Sequence, residues 1–307
     1  SGSVAAVFSA IVLATGPTVV TPLVRQIRLA APLGDVLEAE GLVLEPIGAV
    51  LALLLLELVL GNLHGWRELM LGLLERLGGG VLIGAGVGWL LSELLQRLKP
   101  DQSSGLPLQL TLGMLFLMYG ISEWLLPESA LPASVAAGIV VGRRQTVHTA
   151  DLDGLIQELA QLAITMLFPL LAADVSWAEL SPLGWGGISC VLVLMLVVRP
   201  VAVGVATVGL PLNLPQKLFL GWLAPRGIVT ASVASLFAIR LEQAGILGAG
   251  RLQGLVFLTI LMTVGLQGLT AQPLAHALGL IEDSGGATTS SGEATLQPGE
   301  VLPDPGQ

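Results

Sequence analysis

Long apolar runs dominate this chain. Nine stretches, at about 3–24, 41–61, 69–95, 106–126, 131–142, 154–173, 183–207, 214–240 and 252–274, are rich in Leu, Val, Ala and Gly and do not alternate with polar residues. A membrane hydrocarbon core of about 30 Å is crossed by roughly 20 apolar residues in a helix. Eight of the stretches reach that length, and the fifth, over 131–142, predicts a half-span. Lipid-facing barrel strands would be shorter and would alternate. The pattern therefore predicts an all-α integral membrane bundle.

Two stretches carry helix breakers in their middle. The first reads VFSAIVLATGPTVVTPLV, with Thr15, Gly16 and Pro17 at its centre. The eighth reads KLFLGWLAPRGIVTASVASLFAIRL, with Pro225, Arg226 and Gly227 in the same relative place. Proline lacks the amide hydrogen and glycine forms helix poorly, so both places are expected to unwind. Unwound backbone at membrane depth is tolerated only where it lines a cavity or meets an ion. Two interrupted helices far apart in sequence point to the midplane site of a secondary transporter. The third stretch holds Gly80, Gly84 and Gly88 at fourfold spacing, a face that lets helices approach closely in lipid. These glycines follow no strand, so a nucleotide-binding loop is the poorer reading.

Composition agrees with a membrane protein. Of 307 residues 53% are hydrophobic and 11% charged, the mean hydropathy is +0.84, and soluble domains carry about 25% charged residues. The net charge of −9 offers no basic face for nucleic acid. Part of it comes from residues 281–307, which hold five acids and no Lys or Arg among Ser, Gly, Thr and Pro. That segment is predicted as a disordered acidic tail after a transmembrane domain over 1–280. With a single cysteine, Cys190, a disulfide framework is excluded, and His64, His148 and His276 have no metal-ligand spacing. The chain begins SGSVAAVFSA, without Met and without a basic leader, from which earlier segments are expected to precede it. If the first stretch ends in the cytoplasm, Arg25, Arg28, Arg97, Lys99, Arg143, Arg144 and Lys217 share that side, against Arg67, Arg240 and Arg251 outside. Positive charge favours the cytoplasmic face, so the tail is expected inside.

The candidate chemistry is acidic. Ionisable groups inside spans are costly and are functional candidates by default. Here they are Glu40, Glu45, Glu57, Glu123 and Glu158, together with Arg226, whose buried guanidinium requires a carboxylate partner. A helix-capping role also fits Glu45, which lies near the start of its stretch beside Pro46. A carboxylate at depth that holds either a cation or a proton, never both, suffices for exchange. A cation channel and a non-transporting membrane subunit are the alternative readings. An intramembrane protease lacks its catalytic pair, since no His and no Asp pair falls in mid-stretch.

Four motifs in order then resemble the sodium/proton exchangers of the monovalent cation:proton antiporter superfamily, over about residues 1–275. ATGPT at 14–18 is similar to that family's A-T-D-P-V, and EGLVLEP at 40–46 to E-S-L-L-N-D-A. LFPLLAADV at 167–175 is similar to L-F-x-L-L-A, and APRGIVTASVA at 224–234 to G-L-R-G-A-V. The resemblance implies a bundle with two crossed discontinuous helices, about nine of thirteen spans being present. It implies exchange of Na⁺ or K⁺ for H⁺, with no enzymatic activity and no cofactor, by a homodimer in a bacterial plasma membrane. It places Glu45 at the ion- and proton-binding Asp, Thr15 at the Thr whose carbonyl helps hold the ion with Gly16 beside it, and Glu40 as the partner of Arg226. Three departures remove oxygens from the family's pattern: Gly16 replaces Asp, Gly41 replaces Ser and Leu44 replaces Asn.

Overall fold

A computed structural model describes residues 2–97, 105–144, 149–174, 180–246 and 248–281. The acidic tail from 282 onward, Lys99 and His148 lie outside them. Among the described residues the chain is helical, with a single isolated bridge between Leu29 and Ile281. The helices are α1 (Gly2–Ile11), α2 (Pro17–Ile27), α3 (Leu33–Val59), α4 (Trp66–Arg97), α5 (Leu106–Leu125), α6 (Ala130–Arg144) and α7 (Thr149–Asp174). They continue with α8 (Ser181–Ala206), α9 (Leu214–Trp222), α10 (Ile228–Gln243) and α11 (Ala249–Ala277). Among the described residues α3, α4, α5, α8 and α11 are long and apolar enough to cross a membrane.

Each of the nine apolar stretches falls on helix, and the two with central breakers are each split. The first becomes α1 and α2, with residues 12–16 between them, and the eighth becomes α9 and α10, with residues 223–227 between them. Pro17 opens α2, where a missing amide costs nothing. By contrast α3 runs unbroken through Pro46, so that proline only deprives the Leu42 carbonyl of its helical donor. The α3 helix also starts earlier than its apolar stretch. Leu33 and Leu37 bury its first turns and Asp35 favours its N-terminus.

The core divides at the breaks. On one side α1, α10 and the outer parts of α3 and α11 join through Phe8, Ile11, Leu53, Leu56, Phe237 and Val256. On the other side α2, α9, the start of α3 and the end of α11 join through Val20, Val24, Leu37, Phe219 and Ala275. The half-helices therefore pack with opposite halves of the long helices, and the unwound residues lie between two apolar clusters. Around this core α4 and α6 pack tightly together. A Cβ on Gly84 would lie 2.6 Å from the Ala133 carbonyl carbon, and one on Gly88 would lie 2.8 Å from the Ala137 Cα. The Gly80, Gly84 and Gly88 face thus joins two helices of one chain.

Candidate ion and proton site

The two breaks touch. The Gly16 amide donates to the Pro225 carbonyl at 3.3 Å. A Cβ on Gly16 would lie 2.6 Å from the Gly227 nitrogen, and one on Gly227 would lie 2.8 Å from the Gly16 Cα. Only glycine at both positions permits this approach. Gly16 and Gly227 are the N-caps of α2 and α10, so two helix N-termini, each bearing partial positive charge, converge here.

The other two half-helices, α1 and α9, run into the breaks and leave carbonyls there without helical donors, and an arginine meets each set. Arg226 donates to the Leu13 and Ala14 carbonyls at the end of α1, at 3.1 and 2.9 Å. Arg199 donates to the Leu220 and Leu223 carbonyls at the end of α9, both at 3.3 Å. The same guanidinium grips Glu40 with both terminal nitrogens, one at 2.8 Å from Oε2 and the other on Oε1. The expected pairing of Glu40 with Arg226 is therefore corrected: Glu40 pairs with Arg199. The physical reason is the local demand for donors. The unwound end of α1 leaves carbonyls that Arg226 satisfies from the facing break, whereas Arg199 lies between the α9 terminus and α3.

Backbone donors in the second break are also met from α11. The Ala224 amide donates to Gln267 Oε1 at 3.0 Å, and the Arg226 amide donates to the Thr263 hydroxyl at 3.3 Å. Thr263 and Gln267 bound a π turn, and a second π turn, Leu194–Val198, ends just before Arg199. Such turns re-aim the side chains they carry and recur at functional sites. Sequence reasoning missed Arg199, Thr263 and Gln267 as parts of the site. Their signal was present as polar residues within otherwise apolar runs, two of them one helical turn apart.

Glu45 faces this assembly. Gly41, Glu45 and Gly48 follow at i, i+4 and i+7, hence on one face of α3. A Cβ on Gly41 would meet Pro17 at 3.3 Å, and one on Gly48 would meet Ala14 at 3.0 Å. Glu45 thus lies between contacts to both margins of the first break. It is 7% exposed, and its Oε1 has no hydrogen-bond partner among the described residues. Thr15 is buried, and its hydroxyl lies 3.5 Å from Glu40 Oε1.

The remaining candidate acids are engaged elsewhere. Glu57 receives Arg76 at 3.2 Å. Glu123 accepts the Glu128 and Ala130 amides at 3.0 and 3.2 Å and so caps the start of α6. In the turn before α6, burial and then the Glu123 carboxylate push the Glu128 carboxyl above its ordinary range, against pulls from Arg240 and Arg76. Glu158 lines a cavity of about 550 Å³ between α2 and α7, together with Pro17, Thr18, Thr21, Arg25 and Gln157. That cavity runs from the Arg25–Gln157 hydrogen bond (2.7 Å) to the first residues of α2.

Split helices that meet at their glycines, with guanidinia on their free carbonyls and a buried acid beside them, are the kind of arrangement found at the midplane sites of secondary transporters. Residues 3–277 match the model of the sodium/hydrogen exchanger transmembrane family, and the chain belongs to that family. It is 25% identical over 297 residues to the probable Na⁺/H⁺ antiporter 2 of Methanocaldococcus jannaschii, an alignment covering 88% of this chain and 69% of that protein. It is 24% identical to the K⁺/H⁺ antiporter NhaP2 of a Shewanella species, covering 87% of this chain and 46% of that protein. Its fold is that of the sodium proton antiporter MjNhaP1 of M. jannaschii, with a TM-score of 0.78 over 91% of this chain and 71% of that one, at 23% identity.

Proposed function

We propose that this protein exchanges one monovalent cation, Na⁺ or K⁺, for one proton across a membrane, and that Glu45 is the carboxylate for which the two compete. The observation that carries this reading is Glu45 itself. It is a buried acid on the face of α3 pressed against the first break, with a carboxylate oxygen that none of the described residues satisfies. A buried acid without a partner is costly, and a proton or a hard cation relieves that cost. Membership of an exchanger family and relatives named as Na⁺/H⁺ and K⁺/H⁺ antiporters support the same reading. Oxygen from the unwound backbone around Thr15 and Gly16 and from water contributes to the cation's shell. The cation is cargo, and the mechanism requires no resident cofactor.

The end of the bundle bearing Arg25, Arg28, Arg97, Arg143, Arg144 and Lys217 faces the cytoplasm in this proposal, on the positive-inside bias. The cavity beside Thr18 then opens inward. A bacterial plasma membrane and a homodimeric assembly follow from the family reading alone. The test is exchange by full-length protein in proteoliposomes, followed as cation-driven proton movement. Glu45→Gln keeps the size and removes the charge, so it is expected to abolish exchange while the protein stays folded. Glu45→Asp is expected to retain part of it. Undiminished exchange by Glu45→Gln would remove Glu45 from the site.

A further inference from the structure

Gly16, Gly41 and Leu44, where the resemblance described above implies oxygens, have no side-chain oxygen in this chain, and at Gly16 the packing gives a reason. Gly16 has no room for a side chain, because Gly227 stands where its Cβ would be. Gly41 is less constrained, since a Cβ there would lie 3.3 Å from Pro17. The close contact between the two breaks leaves no room for a side chain at Gly16. A monovalent cation nonetheless requires several oxygens, since carboxylate, carbonyl, hydroxyl and water suit hard cations. One carboxylate and unwound backbone supply only part of such a shell.

Two hydroxyls stand where ligands are missing. Thr18 is in the first turn of α2 and Thr230 in the first turn of α10. Thr230 is 2% exposed. Both hydroxyl oxygens are shut off from solvent and have no hydrogen-bond partner among the described residues, as is true of Glu45 Oε1. Their isolation contrasts with other helical threonines of this chain. Thr111, Thr165, Thr207, Thr259, Thr263 and Thr270 each donate to the carbonyl four residues earlier, at 2.6 to 2.8 Å. In a first turn no helical carbonyl lies behind, so Thr18 and Thr230 are left free by the same breaks that open the backbone.

Their placement is common to one locus. The Thr18 hydroxyl lies 3.0 Å from the position a Gly227 Cβ would take, and Thr230 follows Gly227 by one helical turn. Gly227 touches Gly16, and Glu45 lies on the face of α3 that packs on residues 14–17. Thr18 is also among the residues that line the cavity between α2 and α7.

Building on the exchange function proposed above, we propose that the Thr18 and Thr230 hydroxyls are cation ligands that act with Glu45 and determine which monovalent cation the site accepts. They bind cation through oxygen lone pairs and take no part in holding the proton. Each therefore acts on cation affinity and selectivity, and the acid alone sets the competition with protons.

The test uses full-length protein in proteoliposomes, with Na⁺, K⁺ and Li⁺ each as the driving cation. Thr18→Val and Thr230→Val keep shape and remove the hydroxyl. Each is expected to raise the apparent KM for the preferred cation about tenfold, the scale of a lost bond to a charged partner, and to change the order of preference among the three. Thr18→Ser and Thr230→Ser, which return the hydroxyl, are expected to recover most of the affinity. Cation-induced thermal stabilisation of the purified protein supplies a second readout: it should weaken in the valine variants and persist in the serine variants. If the unaltered protein exchanges cations and the valine variants match it in KM, selectivity and thermal shift, the ligand assignment is overturned and the exchange function stands. If the unaltered protein neither exchanges nor is stabilised by any of the three cations, both fall.

Discussion

Arg199, Arg226 and Glu40 show how a buried charge is placed by backbone need as much as by its opposite charge. Each guanidinium meets the orphan carbonyls of a half-helix, and only Arg199 also meets a carboxylate with both terminal nitrogens. The Glu40–Arg199 pair is 20% and 12% exposed, so removing one member leaves the other uncompensated at a cost of at most about 3–5 kcal/mol, the figure for a fully buried pair. Arg199→Met and Glu40→Gln are each expected to lower the melting temperature and the yield of folded protein in detergent. The double variant should recover part of the loss, because it leaves no lone charge. Arg226→Met combined with Glu40→Gln should show no such recovery. Coupling between positions 226 and 40 equal to that between 199 and 40 would overturn the pairing described here. The sequence could show that both arginines lay in apolar runs. It could not show which acid each would reach, since that depends on how α8 and α3 lie beside one another.

At the scale of elements, the unwound segments were the most legible feature, because proline and glycine act locally and predictably. Pro17 and Pro225 mark both breaks, and every apolar stretch became helix. What was not legible follows from contacts between distant segments. The π turns at Leu194–Val198 and Thr263–Gln267 have no local sequence signature, and they carry or directly precede side chains that serve the second break. Similarly, Gly16 in the place of an acid read as the loss of a ligand, whereas in the fold it is a contact surface for Gly227. From this contact, Gly16→Asp, which returns the acid that related exchangers carry, should not create a second ion site. Its side chain would collide with the Gly227 backbone, which is not a flexible neighbour. The expected outcome is a sharply lower folded yield, measured by size-exclusion chromatography, with Gly16→Ala nearly as damaging. A well-folded Gly16→Asp protein would show that the two breaks are not held at this distance.

Across the whole molecule, the charges gathered at the breaks determine what one transport cycle moves. Among the described residues Glu40, Glu45, Arg199 and Arg226 are the ionisable side chains brought there, two acids and two bases. With Glu45 ionised their sum is zero. With Glu45 protonated, or with one monovalent cation beside its carboxylate, the sum is plus one in both cases. In the exchange proposed above the Glu40–Arg199 pair stays closed, and Gly16 adds no acid to the breaks. On that proposal the two loaded forms carry equal charge, and a full cycle of one cation against one proton moves none. A membrane potential of 100 mV acts on each net charge moved with about 2.3 kcal/mol. That would displace the equilibrium of an exchanger with one uncompensated charge by roughly fiftyfold. In proteoliposomes clamped at zero and at −100 mV, the position at which Na⁺- or K⁺-driven proton movement comes to rest is expected to be the same. A shift of the resting proton gradient with voltage would require a second titrating group in the cycle, and Glu158, lining the cavity that leads to Thr18, is the acid to substitute first.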